Sequence, residues 1–189
     1  MRSPIILALA AWPFIATPAF AQATDTGRAE IAVAGNVAPL CILGAPDSAT
    51  VNLGQMVSTS GPRIGRVAAL PSQQVNLRNS FCNFAGSAIN VSVTALVSAD
   101  TAALQPGFAR AVNYTANVAN WAAGTASATS AASAAGATPT ASGSGATQPL
   151  PKQADLAVTL TNFTVPSDQL LVSGNYQGAV VITLGPSAG

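Results

Sequence analysis

The chain contains no histidine. That absence removes the Ser-His-Asp triad, the Cys-His pair and the commonest metal ligand. Cysteine occurs only at Cys41 and Cys82, with no CxxC pair, so a redox motif or a zinc site has too few ligands. The acidic residues stand apart in sequence, most of them beside turns, and no spacing joins two as an acid–base pair. No Asp/Asn-rich loop offers oxygen ligands to calcium. The sequence therefore predicts no enzyme, no metal site and no cofactor.

Charge is scarce as well. Asp, Glu, Lys and Arg make up 7% of the chain, against about a quarter in ordinary globular proteins. The few charges are scattered and nearly balanced, with a formal net charge of +1. No basic patch exists to bind nucleic acid, and none to seek an anionic membrane surface. A surface so poorly charged is weakly protected against self-association, which suits a protein built to assemble.

Long apolar runs are absent beyond the start of the chain. There, Met1-Arg2 precedes an apolar stretch that ends in Ala19-Phe20-Ala21, a small-x-small pattern. This predicts a secretory signal over residues 1–21 and a mature chain from Gln22, rather than a retained anchor. Export implies an oxidising compartment, so Cys41 and Cys82 are expected to form one intramolecular disulfide.

What the sequence does contain is alternation. Along residues 29–41, Ile31, Val33, Gly35 and Val37 fall on one face of an extended strand, with Gly35 as a gap in the bulky row. Such a strand near a chain terminus needs a partner, either its own domain or another copy. Further alternation predicts strands over residues 50–57, with a kink at Gly54, and over 73–82, 87–97, 110–121, 152–165 and 174–184. In the last, Tyr176, Val180, Ile182 and Leu184 share a face. Residues 122–147 hold only Ala, Gly, Ser and Thr apart from Pro139, too little apolar bulk to repay ordering, and predict a flexible surface loop. About seven short strands without a normal amphipathic helix predict one β-sandwich domain. Tyr114, Trp121 and Tyr176 suit core or edge packing better than a sugar-binding surface.

Several residues carry a resemblance. Val33-Ala34-Gly35-Asn36-Val37 lies shortly before Cys41. Val51-Asn52-Leu53-Gly54-Gln55 follows, and Gln74-Val75-Asn76-Leu77 runs into Cys82. Together they resemble the major pilins of the chaperone–usher pathway. The second half is similar to the spore coat protein U type of domain, found in archaic chaperone–usher pili. The matching pieces there are Asn113-Tyr114 before Trp121, Phe163-Thr164-Val165-Pro166, and Gly174-Asn175-Tyr176. The resemblance spans most of residues 29–184.

It implies an immunoglobulin-like sandwich lacking its last strand and completed by a donor strand from another subunit. Residues 22–39 would be the donor extension, with Ala29, Ile31, Val33, Gly35 and Val37 as the inserted row. Residues 40–189 would be the pilin-like domain, interrupted by the low-complexity insert at 122–147. Tyr176, Val180, Ile182 and Leu184 would form one wall of the acceptor groove. The implied partners are a periplasmic chaperone, an outer-membrane usher and other subunits, joined head to tail into a cell-surface fimbria serving adhesion or biofilm formation. Strand addition of this kind relies on main-chain bonds for affinity and on alternate side-chain pockets for specificity. The rival expectation is a self-contained secreted binding module, carbohydrate-binding or otherwise, whose N-terminal strand pairs within its own domain. A tip adhesin fits less well, since residues 22–40 leave no room for a receptor domain before the first cysteine.

Overall fold

A computed structural model describes residues 26–187; the expected export signal over residues 1–21 lies outside the described residues. The chain divides into two units, Met1–Asn36 and Val37–Gly189. Within the first, residues 26–36 belong to no strand, and Ile31 and Val33 are 84% and 93% exposed. The strand expected over residues 29–41 is thereby corrected: among the described residues ahead of β2, only β1 (Cys41–Ile42) is a strand paired in the ladder. Alternating apolar residues define a face, but a strand forms only where its backbone groups find a neighbouring ladder.

The second unit is an all-β, immunoglobulin-like sandwich. Its strands are β2 (Gln73–Cys82), β3 (Ser87–Ser98), β4 (Phe108–Ala109), β5 (Ala111–Ala119) and β6 (Ala126–Thr129). They continue with β7 (Ala141–Ser144), β8 (Lys152–Thr164), β9 (Leu170–Leu171) and β10 (Tyr176–Pro186). The helical content among the described residues is two 3-10 turns, Gly61–Arg63 and Pro166–Asp168. Neighbours run β1-β2-β8-β5-β3-β10, all antiparallel, while β4 and β9 form a short parallel pair.

The long strands fold as their alternation demands. Along β5, Val112, Tyr114, Ala116 and Val118 point inward and are buried. Ile89, Val91 and Val93 do the same from β3. All of these but Val112 meet Leu77 of β2 and Leu156 and Val158 of β8 in one continuous core. A smaller cluster of Val67, Ala109, Val112, Val165 and Leu171 closes one end. Burying each aliphatic side chain contributes about 1.5–3 kcal/mol, and strands that alternate in register deliver them all to one side.

Two expectations about less regular segments are overturned. Residues 122–147 are not a flexible loop. β5 and β3 pair only where Leu96 and Val97 face Val112 and Ala111. Elsewhere β6 pairs with β5 and β7 pairs with β3. The insert thus closes the side of the sandwich where β5 and β3 diverge, and buries Ala126, Ala128, Ser130 and Ala132. Its small residues are what that position requires: a Cβ on Gly143 would lie 1.8 Å from the Ser127 carbonyl oxygen.

The second correction concerns residues 50–57, which form no strand apart from an isolated bridge between Val57 and Val67. Gly54 sits at a left-handed φ of 64°, and its N–H donates to Asn52 Oδ1 at 2.8 Å. This side-chain turn competes with strand pairing.

Candidate functional site

β10 is the terminal strand of its sheet. One edge pairs with β3 from Tyr176 opposite Ser98 to Pro186 opposite Ser87. The other edge is bonded to no strand among the described residues. Along it runs an apolar groove of about 610 Å³. One wall is β10 itself, through Tyr176–Val180 and Ile182. The facing wall is Leu43, Pro46, residues 48–51 and Leu53. The floor comes from four strands: Val75 and Leu77 of β2, Leu96 of β3, Tyr114 of β5, and Val158, Leu160 and Phe163 of β8.

The two walls are built differently. β10 is held by a long antiparallel ladder with one irregularity, between Gln177 and Ala179. There the Tyr114 hydroxyl, rising from the floor, donates to the Ala179 carbonyl at 3.1 Å. Burial pushes the Tyr114 phenol up to about 12. The Tyr176 hydroxyl donates to the Val172 carbonyl at 2.8 Å, and burial likewise raises its pKa. The opposite wall is tied to β2 mainly at Asp47. Its N–H donates to the Asn76 carbonyl at 2.9 Å, while its carboxylate accepts from the Asn76 backbone N–H at 3.0 Å and from Asn76 Nδ2 at 2.8 Å. These bonds hold the Asp47 carboxyl below its ordinary pKa. Residues 48–53 make no backbone bond to a strand.

The groove is lined by apolar residues, a few hydroxyls and one amide, with no ionisable acid or base besides the two tyrosines. The described residues contain no group of three or more His, Cys, Asp or Glu able to hold a metal ion. A long apolar trough beside an unpaired strand edge can do one thing well, which is to accept another extended chain.

Of the residues singled out in the sequence, Cys41 and Cys82 lie directly opposite each other across β1 and β2 and form a disulfide. Such a bond fits an oxidising compartment. Tyr176, Val180 and Ile182 line the groove, whereas Leu184 packs against the core just beyond it. Ala29, Ile31, Val33 and Gly35 belong to the first unit, and Val37 begins the second; all five are exposed. Tyr114 and Trp121 are buried in the core. Sequence reasoning did not anticipate the floor contribution of Phe163 and Leu160, nor the wall formed by residues 48–53, although Val51 and Leu53 belong to the quoted motif. Comparison with protein-family models, with curated proteins and with solved structures gives no match.

Proposed function

We propose that this chain is a structural subunit of an extracellular fimbria, assembled head to tail by donation of a strand. The observation that carries this reading is the apolar groove beside the free edge of β10, in a chain that also carries an unpaired row of alternating apolar residues. Ile31, Val33 and Val37 of one copy would fill pockets along Tyr176, Val180 and Ile182 of the next, with Gly35 at a shallow point. Main-chain bonds to β10 would supply the rest of the affinity. A heterologous contact of this type propagates into an open filament instead of a closed ring. Before assembly the exposed groove needs temporary cover, the role of a periplasmic chaperone, and passage to the cell surface needs an outer-membrane usher.

The test is a pair of variants. Val33→Asp damages only the donor row, and Val180→Asp damages only the groove. Each alone is expected to abolish filaments seen by electron microscopy. A synthetic peptide of residues 26–39 is expected to bind a subunit whose residues 22–37 are deleted, and to bind its Val180→Asp form at least tenfold more weakly. Filaments from the deleted subunit would overturn the proposal. A soluble, stable full-length monomer made without any chaperone would favour a self-contained binding module.

A further inference from the structure

Asn83 follows Cys82 directly and grips the backbone on both sides of Pro39. Its Nδ2 donates to the Ala38 carbonyl at 2.9 Å, and its Oδ1 accepts from the Leu40 N–H at 2.7 Å. Its own backbone N–H donates to the Leu40 carbonyl at 3.0 Å. A side-chain amide can donate and accept in this way, whereas a carboxylate would lack the donor. Pro39 has no N–H, so a strand ladder loses a bond there, and the Asn83 side chain carries the hold past that gap. The proline ring also fixes its own φ and keeps Ala38 extended. On the other side, Cys41 is bonded to Cys82. Residues 38–41 are thus held in place together.

This hold bears on which groove the row of Ile31, Val33, Gly35 and Val37 can reach. From Cys41 the chain runs antiparallel to β2, with Cys41 opposite Cys82 and Pro46 opposite Leu77. Leu43, Pro46 and the residues up to Leu53 then form one wall of the groove. To enter that same groove the row would have to reverse ahead of Cys41, through a loop of ~2–5 residues. A tethered strand competes for its own groove at an effective concentration in the mM range, unless geometry forbids the contact. Residues 38–40 are the ones such a loop would use, and Asn83 holds them. A reversal confined to residues before Ala38 would consume Val37 and shorten the row.

We infer that Asn83 is a positioning residue that keeps the N-terminal row out of its own groove and leaves it for the groove of another copy. The inference rests on the fimbrial reading and adds to it a reason why the subunit does not close on itself.

Two changes to the full chain test it: Asn83→Ala, and separately four glycines inserted between Val37 and Ala38. The first releases the hold, and the second supplies slack beyond it. Each is expected to raise the monomer fraction at least tenfold in size-exclusion chromatography, at the expense of filaments. These monomers should fail to bind the synthetic peptide of residues 26–39, and adding Val33→Asp should reopen their groove to it. A merely structural role would weaken the groove itself. The subunit lacking residues 22–37 should therefore bind the peptide equally well, within twofold, with Asn83 or with Asn83→Ala. The insertion leaves Asn83 in place and decides the matter if Asn83→Ala misfolds. Filaments at wild-type yield from the insertion or from a folded Asn83→Ala chain would overturn the inference while the fimbrial reading stands. So would monomers that still bind the peptide. Absence of wild-type filaments would overturn both.

Discussion

Tyr114 shows how one side chain can serve the core and the groove together. Its ring is buried against Phe163, with ring centroids 6.0 Å apart, and its hydroxyl holds the irregular point of β10. Tyr114→Phe should keep the packing and remove that bond, costing about 1 kcal/mol in a denaturant titration. Because its folded pKa is raised to about 12 above the ordinary 10.0, the stability it contributes is complete below pH 10 and is lost as pH rises towards 12. The phenylalanine variant should lack this alkaline limb. At Cys41 and Cys82, reduction should cost about 4 kcal/mol on the chain-entropy model for a 41-residue separation. That pairing was legible in the sequence because a chain with only two cysteines leaves a single intramolecular choice. The role of Tyr114 was not, since its partner is a backbone carbonyl set by the register of a strand 65 residues away.

Among the elements, long strands were readable and short ones were not. β3, β8 and β10 follow their alternation, because each buries one face against the core and a slip by one residue would expose it, whereas β2 shifts register between Leu77 and Ser80. β6 and β7 escaped because alanine and glycine carry little hydrophobic signal. Their place is decided by close approach, and that is a tertiary property. Gly143→Val should therefore push β7 away from Ser127 and destabilise the domain by about 2–3 kcal/mol, an overpacking cost. Thermal unfolding monitored by circular dichroism would show it, and Ser142→Val, at the exposed neighbouring position, should leave the melting temperature nearly unchanged. The candidate groove was half legible. Its β10 wall lies on the predicted face, while the residue 48–53 wall follows from a turn that the alternation of Val51 and Leu53 concealed.

For the molecule as a whole, the sandwich is closed on one side by β6 and β7 and open on the other along β10. Little charge takes part in holding it. The main ionic cluster is Arg63 and Arg66 on Asp168, at 2.7 and 3.3 Å, joining the turn at residues 61–66 to the start of the 166–171 segment. The hydrogen bond from Arg63 holds the Asp168 carboxyl below its ordinary value of 3.8. A depressed carboxylate contributes stability above its unfolded pKa and loses it as pH falls through the folded one. The melting temperature of the wild type should therefore exceed that of Asp168→Asn at pH 6, and the difference should vanish towards pH 2.

The disulfide between β1 and β2 also sets a path for mechanical load. Tension applied to the chain ahead of Cys41 crosses the sulfur bridge into Cys82, at the end of a strand laddered to β8. The 41-residue span between the cysteines is bypassed and stays slack while the bond is intact. In single-molecule pulling between residue 37 and the C-terminus, the oxidised domain should unravel to a length shorter by about 140 Å than the reduced one, at ~3.5 Å per residue. Equal lengths in the two states would show that the bridge does not carry the load.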